Sequence, residues 1–200
     1  IDEASIEDSI ECLAVGLYLG IDKNAIEERM ASLEPVAMRL EVKEGRHDCT
    51  LINDSYNSDI NSLDIALDFM SRRPDAKERQ RVLILSDIYQ TGKPLSLLYS
   101  EVSALMKQRG VDHFIGIGPE ICAHQDCFQL PNSSFFITVQ DFIDSELFSN
   151  LRDSIILLKG ARRFGFDKIT ELLVKKVHET TLEVNLSALV QNLNFYRSYL

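Results

Sequence analysis

Tryptophan is absent from this chain, and glycine and proline are scarce, nine and five among 200 residues. That excludes collagen-like, proline-rich and Gly/Ser-linker architectures. The four cysteines, Cys12, Cys49, Cys122 and Cys127, are too scattered for a disulfide framework. A reducing cytoplasm fits such usage best. Cys122, His124 and Cys127 lie close together in sequence. A structural zinc site needs four ligands in two pairs, and no second pair accompanies them. No apolar run reaches the length of a membrane span, and no signal peptide is recognisable. Positive charge is in deficit, 21 Lys and Arg against 31 Asp and Glu, for a net charge of −10. This argues against a general nucleic-acid or anionic-membrane surface but leaves room for a local basic pocket. Walker, nucleophile-elbow and HExxH motifs are also missing.

What is present is ordinary globular material, 45% hydrophobic and 26% charged. Such a length holds one full domain and part of another. The chain opens at Ile1 on an acidic helix, and the expectation is a piece of a longer protein. Residues 5–20 read as a helix, with Ser5 and Asp8 as a capping box and Ile6, Ile10, Leu13, Ala14 and Leu17 as its apolar face. A second helix is expected near 24–33. Glu34-Pro35 then breaks the pattern, and a domain boundary is placed there.

After that boundary strands alternate with helices. Strands are expected at 36–42, 49–53, 81–86, 112–117, 134–138 and 154–159, helices at 59–72, 95–109, 140–150 and 166–177. Val82-Leu83-Ile84-Leu85 and Ile155-Ile156-Leu157-Leu158 are apolar on both faces, as buried parallel strands are. The expected class is therefore α/β, a doubly wound, mostly parallel sheet. Near 179 the register changes: Thr181–Leu186 alternates like a strand, and 187–200 reads as an amphipathic helix. The expected division is 1–34, 35–178 and 179–200.

The densest chemistry follows the second strand. Leu51-Ile52 runs into Asn53-Asp54-Ser55-Tyr56-Asn57, and a helix with Ile60, Leu63, Leu67 and Met70 on one face comes next. Open α/β sheets place their binding crevice at such strand ends. Asp54 and Asn57 are thus the first candidates for ligand contact. Locally, Ser58 or Asp59 capping the helix explains the same residues. Ser86-Asp87 and Lys159-Gly160-Ala161-Arg162-Arg163 end two further strands. A carboxylate there can accept ribose hydroxyls, and Lys or Arg can hold phosphate or carboxylate. Together they describe a crevice for a phosphorylated or carboxylated ligand. Gly116-Ile117-Gly118 lacks the third glycine of a dinucleotide fingerprint and reads as a tight turn. His113 and His178 have no evident partners. Arg39, flanked by apolar residues near the boundary, is either a salt-bridged edge residue or a group reaching into an interdomain cleft.

In this order, these pieces resemble the C-terminal domain of the Mur ligases, nearest to the branch that joins D-alanyl-D-alanine to UDP-N-acetylmuramoyl-tripeptide. Pro35–Glu41 is similar to that family's entry into the domain, Asn53–Asn57 to its Asp-Ser-Tyr-Asn segment, Leu85–Ile88 with Gly92 to its Leu-Gly-Asp-Met loop, and Leu158–Arg162 to its Lys-Gly-Ser-Arg loop. Residues 1–34 resemble the last helices of the central ATP-binding domain. Thr181–Leu189 with Asn192-Leu193 resembles the opening of an alanine racemase. Ser86, Gln90, Ala161 and Asp59-Ile60 depart from the ligase pattern, which has Gly, Glu, Ser and Asn-Pro there.

The resemblance implies an ATP- and Mg-dependent, amide-forming ligase of peptidoglycan synthesis. The tripeptide carboxylate becomes an acyl phosphate, which the dipeptide amine attacks. It further implies fusion to a racemase that uses pyridoxal phosphate (PLP) and dimerises. Arg39 and Asp54 would bind nucleotide; Tyr56, Asn57, Lys159 and Arg162 would bind substrate. No residue here is assigned to the chemical step or to a metal. The phosphate-binding loop and the PLP lysine would lie outside this chain, which alone should catalyse neither reaction. The rival from another class is a non-catalytic α/β binding or bridging module.

Overall fold

The computed structural model describes residues 3–31, 39–89, 92–175 and 185–198, with side chains from residue 9 onward. Six strands form one sheet: β1 (Glu41–Glu44), β2 (Thr50–Asp54), β3 (Gln80–Ser86), β4 (His113–Ile117), β5 (Ser133–Phe136) and β6 (Ser154–Lys159). Their order is β1-β2-β6-β3-β4-β5. Only β1, hairpinned onto β2, runs antiparallel; the other neighbours pair in parallel.

Alternation along the strands explains the two layers around this sheet. Ile155 and Leu157 of β6 point to one face, and Ile156 and Leu158 to the other. The first face receives α3 (Ile60–Ser71), α4 (Leu95–Arg109) and α5 (Pro119–Ala123), through Leu63, Leu67, Met70, Tyr99, Met106 and Ile121. The second receives α6 (Val139–Ile143), α7 (Glu146–Ser149) and α8 (Asp167–Leu173), through Phe142, Phe148, Ile169 and Leu173. From β2 to β5 the chain winds over the first face. It then returns over the second to insert β6 between β2 and β3. That reversal opens a crevice at the carboxyl ends of β2, β6 and β3.

The expected doubly wound sheet is therefore present, and the helix at 95–109 has the expected bounds. Four local expectations need correction. The helix expected at 140–150 is two short helices, because Ser145 caps a new one by accepting from the Phe148 N–H. The helix expected to run to 177 stops at Leu173: Val174 turns extended and bridges to Gly45. The strand expected at 36–42 begins only at Glu41, since Leu40 takes a left-handed φ of 46° that ends extended pairing; residues 36–38 lie outside the described residues. Gly116 and Ile117 belong to β4, so the turn expected over Gly116–Gly118 starts at Gly118.

α1 (Glu3–Tyr18) and α2 (Lys23–Ala31) pack together at Gly16, where an added Cβ would come within 2.8 Å of Ile26 Cδ1. Ile10 and Leu17, on the expected apolar face, are exposed. α9 spans Leu186–Arg197 with every described side chain exposed. The strand expected at 181–186 cannot include Leu186, which is helical; 181–184, His178 and both expected boundaries lie outside the described residues. α1 is already helical at Glu3, so Ser5 lies inside it and is not the helix cap expected with Asp8. No helix among the described residues is long and apolar enough to cross a membrane.

Candidate functional site

The parallel register sets Asp54 of β2 directly opposite Lys159 of β6. Lys159 Nζ donates to Asp54 Oδ2 at 2.7 Å. The lysine side chain is 1% exposed and the aspartate 13%. A buried ammonium at the end of a central strand needs such a counter-charge. Burial pushes the Asp54 carboxyl above its usual range. The Lys159 charge and hydrogen bond, the Leu40 N–H and the Arg39 guanidinium pull it back without cancelling the rise.

Arg39 lies outside β1, at the surface, with its guanidinium 4.9 Å from the centroid of the half-exposed Tyr56 ring. Between these groups the backbone is fixed by Ser55 Oγ, which donates to the buried Asn53 Oδ1 at 2.6 Å. Arg39, Asp54 and Tyr56 thus gather at one strand end, as a site there requires.

Asn57 opens a neighbouring cleft of about 450 Å³, lined among the described residues by Asn57, Ser58, Asp59, Tyr89, Ala161 and Arg163. Asp59 is the residue that caps α3: its Oδ1 accepts from the Ser62 N–H at 2.9 Å and its Oδ2 from Ser62 Oγ at 2.5 Å. These bonds hold its carboxyl below the usual range despite opposing desolvation, the largest single influence.

The other cleft wall hangs on β3. Ser86 is buried; its Oγ accepts from the Ala161 N–H at 2.9 Å, tying the loop after β6 to the end of β3. Asp87 is wholly buried and turned away from solvent. Its carboxylate accepts from the Glu120 and Ile121 N–H groups at the start of α5, at 3.2 and 2.8 Å, and from Tyr89 Oη at 3.0 Å. Gly118 is required over it, since a Cβ there would sit 2.3 Å from Asp87 Oδ1 and φ is 141°. Asp87, read in sequence as a polar strand end, thus builds the site's frame.

Arg162–Phe164 form one 3₁₀ turn, and Arg163 lays its guanidinium 4.5 Å from the Tyr89 ring centroid. Arg162, singled out in the sequence, is exposed and does not line the cleft. Sequence reading did not single out Tyr89 and Arg163; the signal available was an aromatic after β3 and a second arginine in a loop already flagged. Among the described residues no three His, Cys, Asp or Glu side chains are placed to hold a metal ion.

The polar crevice lies at the carboxyl ends of a doubly wound α/β sheet, where such folds place their binding sites. The proteins this chain is similar to include Mur ligases. Over 116 residues, 58% of this chain, it is 24% identical to the UDP-N-acetylmuramoyl-tripeptide–D-alanyl-D-alanine ligase of Escherichia coli strain K12, covering 25% of that protein. A crystal structure of MurF from Acinetobacter baumannii superposes with a TM-score of 0.73 at 17% identity, over 85% of this chain and 38% of that one. The UDP-N-acetylmuramate–alanine ligase MurC of Thermotoga maritima superposes at 0.58 with 13% identity, over 86% and 39%. No protein-family model matches the chain. The fold matches the Rossmann-like C-terminal domain of these enzymes, and the sequence similarity supports homology to the Mur ligase family. The chain spans a quarter of the curated relative's length.

Proposed function

We propose that this chain is the C-terminal domain of an ATP-dependent ligase that joins D-alanyl-D-alanine to UDP-N-acetylmuramoyl-tripeptide. In this reading residues 1–34 close the ATP-binding domain, 35–178 form the domain described above, and 179–200 begin a fused alanine racemase. The observation that carries it is the gathering of Arg39, Tyr56 and the Asp54–Lys159 pair at one strand end, in a chain similar to a curated ligase of that activity.

The residues fit a nucleotide. Arg39 offers a surface guanidinium suited to phosphate oxygens, and Asp54, engaged by Lys159 and the Leu40 N–H, keeps acceptor capacity for a ribose hydroxyl. ATP supplies the phosphoryl group that activates the tripeptide carboxylate. This domain's part is to bind, orient and exclude water, which is catalysis by positioning. By the same resemblance, Mg and PLP belong to parts of the enzyme outside this chain. On this reading the 200-residue chain is inactive by itself.

Arg39→Ala in the full-length enzyme should lower ligation about 10- to 100-fold, the loss of one charge-assisted contact, and leave racemisation intact. Asp54→Asn should lower ligation at least as much, and because it also orphans the buried Lys159 ammonium it should lower stability in urea unfolding as well. Equal loss of both activities would sink the assignment. A non-catalytic bridging module draws support from one observation: Asp54 and Lys159 neutralise each other. Nucleotide affinity that depends on Arg39 separates the two readings.

A further inference from the structure

We propose that Arg163 holds the carboxylate of the amine donor, and that with Asp59 it selects a small zwitterion, an amine carrying its own free carboxylate. This rests on the ligase reading, which already gives the donor, and names the residues that fix that donor's orientation. The two cations expected for the role are otherwise placed. Lys159 is 1% exposed and committed to Asp54, and Arg162 does not line the cleft.

Arg163 does line it, and it is pre-positioned. Its guanidinium lies 4.5 Å from the Tyr89 centroid and 5.7 Å from that of Phe164. The two rings stack at 6.1 Å with 19° between their planes. Tyr89 is pinned in turn by its hydroxyl to the buried Asp87. Stacking uses the face of a guanidinium and leaves its N–H edge for a planar, bidentate anion such as a carboxylate.

Two further groups set the charge the cleft accepts. Asp59 keeps its negative charge while capping α3, and each of its oxygens has acceptor capacity left for an amine. Ser58 Oγ is buried in the same lining with no hydrogen-bond partner among the described residues. A dianionic phosphate would meet the Asp59 charge, and a ligand without a carboxylate would leave Arg163 unpaired. A zwitterion satisfies both. The cleft's 450 Å³ is within the range that accepts a dipeptide.

The test uses the full-length enzyme with D-alanyl-D-alanine and its C-terminal carboxamide as alternative donors. The wild type should prefer the carboxylate by about 10- to 100-fold in kcat/KM. Arg163→Ala should abolish that preference by raising KM for the dipeptide while KM for ATP stays fixed, and Arg163→Lys should restore part of it. A preference that survives in Arg163→Ala overturns the inference and leaves the ligase reading standing. If no ligation occurs, calorimetric titration of the same protein with the two dipeptides decides. Discrimination that vanishes in Arg163→Ala sustains the inference while the ligase reading fails; absence of binding overturns both.

Discussion

Replacing Lys159 by Met should destabilise the fold by an amount that depends on pH in a calculable way. Met fills the lysine's volume in β6 but leaves Asp54, 13% exposed, without its counter-ion. Breaking a buried pair costs about 3–5 kcal/mol. The carboxylate has an escape, since it can take up a proton. Counted from the ordinary value of 3.8, that caps the loss at about 4.4 kcal/mol at pH 7 and about 1.6 kcal/mol at pH 5, and the raised folded value lowers both ceilings. The sign follows from the direction of the shift. Burial already raises the folded Asp54 value above the unfolded one, so its contribution is fullest below the unfolded value and is lost as pH rises through the folded one. Lys159→Met raises the folded value further and widens that window. Urea unfolding of wild type and variant at pH 5 and pH 7 should give a difference more than twice as large at pH 7. Adding Asp54→Asn should recover much of the loss at pH 7. A penalty equal at both pH values, or under about 1 kcal/mol at pH 7, would mean that Asp54 is not a buried charge held by Lys159.

Three further substitutions probe the frame. Asp87→Ala orphans the Glu120 and Ile121 N–H groups and should cost about 2–4 kcal/mol in urea unfolding. Because it also frees Tyr89, it should raise KM for the dipeptide in the full-length enzyme. Arg79→Ala, at the amino ends of the strands, removes donors to Thr50 Oγ1, Asp75 Oδ2 and the Asp48 and Ser154 carbonyls. It should cost about 2–4 kcal/mol, read by thermal unfolding, with dipeptide KM unchanged. Gly160→Ala places a Cβ 2.9 Å from the Phe166 ring and should lose about 1–3 kcal/mol by the same measurement, with the Arg162–Phe164 turn displaced.

The parallel core was legible because β3 and β6 are apolar on both faces, and only a sheet covered by helices buries such strands. The polar end of β2 was legible for the same topological reason. Pairing was not: Lys159 and Asp54 are 105 residues apart, and only the register of β2 against β6 brings them together. Separate roles as substrate and nucleotide ligands were a natural reading of two charges whose neutralisation cannot be seen in one dimension. The choice between Arg162 and Arg163 depends on the phase of a three-residue 3₁₀ turn, which composition does not encode. Asp87 illustrates the opposite error, a polar strand-end residue consumed by backbone N–H groups of a short helix that sequence reading did not anticipate. The split at Ser145 was readable in principle, since a serine three residues before Phe148 is a helix-start signal inside a continuous pattern.

Phosphate release by the purified full-length protein tests whether this domain serves a ligase. With ATP, UDP-N-acetylmuramoyl-tripeptide and D-alanyl-D-alanine together, release should be fast and should match the pentapeptide formed. Omitting the dipeptide should halt it, and Arg39→Ala should slow it at least tenfold. Release that is indifferent to the dipeptide, or a wild-type protein that forms no pentapeptide, would contradict the account.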